Sequence, residues 1–266
     1  MMPQYLINAI LAGLFAGVSC SLAGAFVVTM HLSFLGVCIA HAAFAGALMG
    51  VWLGFDPLLG ALFFSLGASA LVGPLADRGE LSPDASIGIV FSFMIGLAFL
   101  FLGLTPGSRT EALSLFWGSI LTISPQDLLF LGMVAVAVTL GILVFNKEIH
   151  ATACHRNVAA AIGIPATLVF YAMLFATGAT IAVSLRSIGG LLIYSLVVNP
   201  AASALQLTYR FNLMLLLSVL FGVGACWIGL AASYCWDLPA GAAIVLSSSV
   251  LFAVCTVMSP KRRAQQ

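Results

Sequence analysis

Charge is what this sequence has least of: nine Lys or Arg and eight Asp or Glu in 266 residues, for a net charge of +1. A water-facing domain of this length needs far more polar side chains to cover its surface and stay dispersed. The shortage excludes an ordinary soluble enzyme and leaves no basic patch for nucleic acid. Lysine occurs only at positions 147 and 261, and no GxxxxGK[ST] loop exists, so the chain cannot cradle ATP phosphates in a P-loop. HExxH and GxSxG are absent as well, which removes the basis for zinc-peptidase or serine-hydrolase chemistry. There is no CxxC pair, and most of the six cysteines lie in apolar runs, where a thiol serves as a small hydrophobe and not as half of a disulfide. The N-terminal stretch has no basic residue ahead of its apolar run, so it reads as a first span and not as a cleaved signal.

What fills the sequence is apolar: 62% of residues are hydrophobic, and the mean hydropathy is +1.19. Such a chain is stable only with lipid around most of its surface. Breaks in hydropathy mark runs near 5–30, 34–53, 58–76, 85–104, 127–146, 166–185, 187–208, 211–233 and 240–258. Each approaches the ~20 residues that cross a bilayer core, and none alternates as a barrel strand would. The expectation is an all-α polytopic membrane protein of eight or nine spans, forming one transmembrane domain over 1–266. The stretch 105–126 is less apolar, and its middle is too short to cross, so it reads as a partial or re-entrant helix. Placing Lys261, Arg262 and Arg263 in the cytoplasm also puts Arg78, Lys147, Arg156 and Arg210 there. Only Arg109 and Arg186 then lie outside, as the positive-inside rule requires.

Polar groups inside spans are costly in lipid and are therefore suspects for function. His41 lies well within the second run, with Cys38 three residues before it, and imidazole with thiolate suits late transition metals. A neutral histidine bonded to a neighbouring helix beside a packed cysteine is the competing reading. Asn199-Pro200 interrupts the run 187–208, where the proline frees a carbonyl one turn earlier. Such a break lines a solute path, or else it is a packing kink satisfied by Ser195 or Ser203. Gly13/Gly17 and Gly46/Gly50/Gly54 set small residues on single helix faces, a packing signal. The acids Asp56, Asp77, Glu80, Asp84, Asp127 and Asp237 fall at span ends, so no paired acids at depth suggest an intramembrane enzyme. Between spans, 146–165 reads as a short surface helix or a plain loop, closed by Gly163-Ile164-Pro165. Its His150, Cys154 and His155 read as chance neighbours and not as a metal site.

Several stretches, in order, are familiar: LSFLGVCIAHAAFAGALMG (32–50), PDASIGIVFSF (83–93), LFWGSILTISPQDL (115–128), SIGGLLIYSLVVNPAASAL (187–205) and DLPAG (237–241). Together they resemble the permease subunits of the zinc/manganese/iron family of ABC importers. The resemblance implies a homodimer in the inner (plasma) membrane, two cytoplasmic ATPase subunits that hold the ATP, and an extracytoplasmic metal-binding receptor. The permease itself binds no cofactor, and its cargo is the metal ion. It further implies that segment 147–164 rests against the ATPase, with His155, Arg156, Ala159, Ala160 and Gly163 in contact. His41, with Cys38 beside it, becomes the transit site, and Asn199, Pro200 and Ser195 border the path. Two departures stand out: the family's Asp four residues before the histidine is Val37, and a second Asp position is Ser119. An organic metal chelate as cargo, or a secondary transporter needing no ATP, are the alternatives.

Overall fold

The computed structural model describes residues 4–78, 82–105 and 120–263. They form α1 (Gln4–Thr29), α2 (Leu35–Leu53), α3 (Pro57–Arg78), α4 (Pro83–Leu104), a 3-10 turn (Ile120–Thr122), α5 (Pro125–Val144), α6 (Asn146–Ala161), α7 (Ala166–Ile188), α8 (Gly190–Leu207), α9 (Phe211–Trp236), α10 (Ala240–Val257) and α11 (Pro260–Arg263). Eight of the described helices are long and apolar enough to span a membrane, and α8 adds a shorter apolar one. The nine expected runs thus all become helices. Most of the expected re-entrant stretch, with Ser119, lies outside the described residues.

Local chemistry sets the helix ends. Ser82-Pro83 and Ser124-Pro125 start α4 and α5 alike: the serine oxygen accepts an N–H two positions past the proline, and the proline fills the first helical position. At the end of α6, the amides of Gly163 and Ile164 donate to the carbonyls of Ala160 and Ala159. That is a Schellman stop, and Gly163 takes its required positive φ of 89°. Between α7 and α8 the chain reverses through a single residue, Gly189 (φ 88°, ψ 153°), in a region open essentially to glycine alone.

Glycines decide which helices touch. A Cβ on Gly46 would collide with the Gly60 carbonyl, and one on Gly60 with the Gly46 carbonyl, so α2 and α3 cross backbone to backbone. Gly13 and Gly17 do the same service for α1 against Cys226 and Val223 of α9, and Gly229 for α9 against Ile244 of α10. With no hydrophobic drive between helices in lipid, this close packing is what holds the bundle. Helices α8 and α10 run parallel in register, Ser195 meeting Ser248 and Gln206 meeting Ser259.

The two ends of the bundle differ in charge. One gathers Lys147, Arg156, Arg210 and Lys261 and is here called the basic face. Lys261 caps α8 by donating to the Leu205 carbonyl (2.5 Å) and lies over the Tyr209 ring (4.2 Å). The opposite, acidic face carries Asp56, Asp127 and Asp237, with Arg186 among them. Arg186 bonds Asp56 before α3 (2.9 Å) and Asp127 of α5 (2.9 Å), tying the ends of three helices. Asp127 also accepts from the Ser124 hydroxyl at 2.7 Å.

Two outcomes follow. Gly46→Val meets backbone and cannot be absorbed, so its cost should exceed the ~1–3 kcal/mol of ordinary overpacking. Gly96→Val, with nothing within 4 Å, should be tolerated, and monodisperse yield after detergent extraction compares the two. Arg186→Ala should lower the melting temperature more than Asp56→Ala. The Asp127 side chain it abandons is 12% exposed, whereas that of Asp56 is 50% exposed and easily hydrated.

Candidate functional site

Helix α2 has an apolar sequence with one ionisable imidazole in it. His41 follows Leu35 by six residues and precedes Leu53 by twelve, about 9 Å and 18 Å from the helix ends at 1.5 Å per residue. It is half-buried, on the same side as half-buried Val37 and exposed Phe34. Its Nδ1 lies 2.9 Å from the Val37 carbonyl. A carbonyl only accepts, so Nδ1 is the donor in this contact, which fixes the orientation of the ring. The edge of the ring contacts Phe91 of α4, with centroids 5.1 Å apart and planes at 82°. Where the resembled family has a carboxylate, this chain thus offers a carbonyl that orients the imidazole.

Cys38 is fully enclosed in the bundle interior, while His41 sits on the half-open side of α2. Among the described residues no three His, Cys, Asp or Glu side chains gather in a way that could hold a metal ion.

A second polar cluster lies on α8 and α10. Helix α8 stays continuous through Asn199-Pro200. The Ser203 hydroxyl donates to the Asn199 carbonyl at 2.7 Å, and the Asn199 side-chain nitrogen donates to Ser248 (3.0 Å), Ser249 (3.2 Å) and Ser195 (3.4 Å). Ser195 and Ser248 bond each other at 2.5 Å. The sequence reading included Ser195 and missed Ser248 and Ser249. The signal was the run Ser247-Ser248-Ser249, three hydroxyls midway along an otherwise apolar span.

On the basic face, α6 bends at His155 (φ −150°, ψ 80°). Of the five residues expected to face a partner, His155, Ala160 and Gly163 are exposed. Ala159 is buried, and Arg156 lies over the Phe170 ring at 4.4 Å and donates to Thr167 at 3.3 Å, joining α6 to α7. The large apolar groups that face outward are Val158 (58% exposed) and Ile162 (69%), which residue-type reasoning had passed over. His150 stacks on Phe211 at 4.6 Å, which spends it on packing α6 against α9. Cys154 is exposed, with partial burial raising its thiol pKa.

The chain and its fold are similar to known proteins. The manganese import system permease protein ScaB of Streptococcus gordonii is 29% identical over 260 residues, covering 98% of this chain and 93% of the relative. The manganese transport system membrane protein MntB of Synechocystis is 29% identical over 259 residues, covering 97% of this chain and 84% of the relative. Among solved structures, PsaBC from Streptococcus pneumoniae in complex with Fab superposes with a TM-score of 0.87 at 27% identity, over 98% of this chain and 94% of that one. The description that matches the sequence itself, over residues 2–259, is that of the ABC 3 transport family, and the chain belongs to it.

Proposed function

We propose that this permease carries a divalent transition-metal ion, manganese foremost with iron and zinc as its chemical neighbours, across the plasma membrane. His41 inside the apolar helix α2 carries the reading, because an imidazole on an apolar span has a cost in lipid that passage of a cation explains. Family membership over nearly the whole chain and the named cargo of its relatives support it. The basic face is cytoplasmic, by the positive-inside rule, and the acidic face is where the metal enters. A second copy of the chain covers the half-open sides of α2 and α8, and the ion passes between the protomers by way of His41 and Asn199, with the buried Pro200 and Ser195 behind Asn199. Cys38 can join only if its helix turns.

The permease has no nucleotide site of its own, so an ATPase subunit must push on the cytoplasmic face, and α6 is the surface that fits it. Segment 147–164 offers His155, Ala160, Gly163, Val158 and Ile162 outward, with Arg156 and Ala159 anchoring it from behind. An extracytoplasmic metal-binding receptor delivers the ion to the acidic face. The ATPase then drives alternation of outward- and inward-open states by its different contacts in each.

The missing carboxylate at Val37 favours a cargo that keeps part of its shell, either water or an organic chelator. Uptake assays supplied with free manganese and with chelated metal separate these.

Three outcomes are expected. His41→Ala should lower manganese uptake at least about tenfold while leaving assembly intact, as loss of a metal contact does; uptake at the wild-type rate and affinity would remove His41 from the route. Val37→Asp should recreate a carboxylate–imidazole pair one turn apart, so ion retention measured by calorimetry should rise while turnover falls. Val158→Glu with Ile162→Glu should abolish co-purification of the ATPase without lowering the permease melting temperature, since both side chains are exposed.

A further inference from the structure

The amide of Asn199 has an orientation that its neighbours dictate. Ser248 and Ser249 both donate their hydroxyl hydrogens to the Val245 carbonyl, each at 2.8 Å. With those hydrogens spent, their oxygens can only accept. Ser195 must then be the donor in its bond to Ser248, which leaves the Ser195 oxygen as an acceptor too. Only the NH2 end of an amide can face three acceptors. The contacts at 3.0, 3.2 and 3.4 Å therefore fix Nδ2 toward the serines and turn Oδ1 away from them. No described residue donates to that oxygen.

Helix α8 shows where the oxygen is placed. Among its described side chains, those incompletely covered are Tyr194, Val198, Asn199, Ala202, Leu205 and Gln206, with Leu207 at the terminus. Their spacing of four, one, three, three and one residues is a single stripe down one side of the helix. Tyr194, Asn199 and Gln206 put a phenol and two amides on it, separated by roughly 8 Å and 10 Å of rise. An uncovered amide at that depth is costly against acyl chains. The stripe therefore faces protein or a wet passage.

We infer that Asn199 is a specificity-determining residue of the route, with Ser195, Ser248 and Ser249 as positioning residues that hold its Oδ1 as an oxygen donor for a partly hydrated divalent cation. This rests on the transport reading above and adds to it a basis for choosing the ion. Amide carbonyl oxygen and water suit manganese, whereas imidazole suits zinc at least as well. A site with His41 alone would favour zinc by the usual affinity order, and a fixed carbonyl oxygen shifts the balance toward the harder ion. The clamp is what makes the donor effective, because an amide free to rotate would present NH2 as readily as oxygen to an approaching cation.

The test uses the whole importer in cells without other manganese uptake, with radioactive manganese as substrate and zinc as competitor, at matched membrane levels. Asn199→Leu should shift the manganese-to-zinc preference toward zinc by about tenfold, and Ser248→Ala with Ser249→Ala should shift it the same way by a smaller factor. Asn199→Asp should raise the preference for manganese and lower the maximal rate. A merely structural role would change both metals equally and leave the ratio fixed, and that result overturns the inference. Should Asn199→Leu fail to reach the membrane, Asn199→Asp decides by the same ratio. His41→Ala is run alongside: if it stops uptake while the Asn199 variants leave the ratio unchanged, the inference falls and the route stands. If neither changes anything, the route itself is misplaced.

Discussion

A hydroxyl or amide inside a bilayer has no water to turn to, and the arrangement of this protein follows from that constraint. Most of its intramembrane hydroxyls meet it locally. Ser19, Thr29, Ser69, Ser92, Thr139, Thr177, Thr180 and Ser218 each donate to the carbonyl four residues back on their own helix. A side chain satisfied in this way is electrically quiet and says little about function. The groups that cannot be silenced so simply are the informative ones. His41 sits against its own helix carbonyl and Phe91 of α4, and Asn199 reaches across to α10 for two partners, with a third, Ser195, on its own helix.

The same constraint explains the glycines. Once backbone hydrogen bonds are all internal, helices in lipid are held by contact area and by how near their axes come. The reciprocal approach of Gly46 and Gly60 sets α2 firmly on α3, so the helix bearing His41 has a rigid backing. On its other flank α2 meets α4 through softer aromatic contacts, Phe34 and His41 against Phe91, both at 5.1 Å. The imidazole thus lies between a fixed wall and a compliant one.

Much of this was legible in the sequence. Hydropathy gave the spans to within a few residues, because a lipid-facing helix has to be apolar over its whole length. Gly163-Ile164-Pro165 marked the end of α6, since positive φ followed by a proline permits little else. The paired glycines announced contact but not partner, because a small residue shows that something comes close without showing what. Arg186 was read only as a positive charge outside the usual side. Its bonds to Asp56 and Asp127 join residues 130 and 59 positions away, and no local pattern encodes them. The same holds for Asn199 and Ser248: each was visible as a polar residue in a span, but their meeting depends on the parallel register of α8 and α10. On α6, residue chemistry drew attention to His155 and Arg156, yet past the kink at His155 the arginine lies over Phe170 and it is Val158 and Ile162 that face outward.

The anchoring of Arg156 over Phe170 has a mechanical meaning. It fastens the surface helix to the first turns of α7, a helix of 23 residues whose far end carries Arg186 and its two acids. Over its ~34 Å length such a rod bends little, so a tilt imposed at one end becomes a sideways stroke at the other. A nudge on α6 at one end of the bundle is thereby relayed, without any intermediate joint, to Arg186 and the two carboxylates it binds at the other.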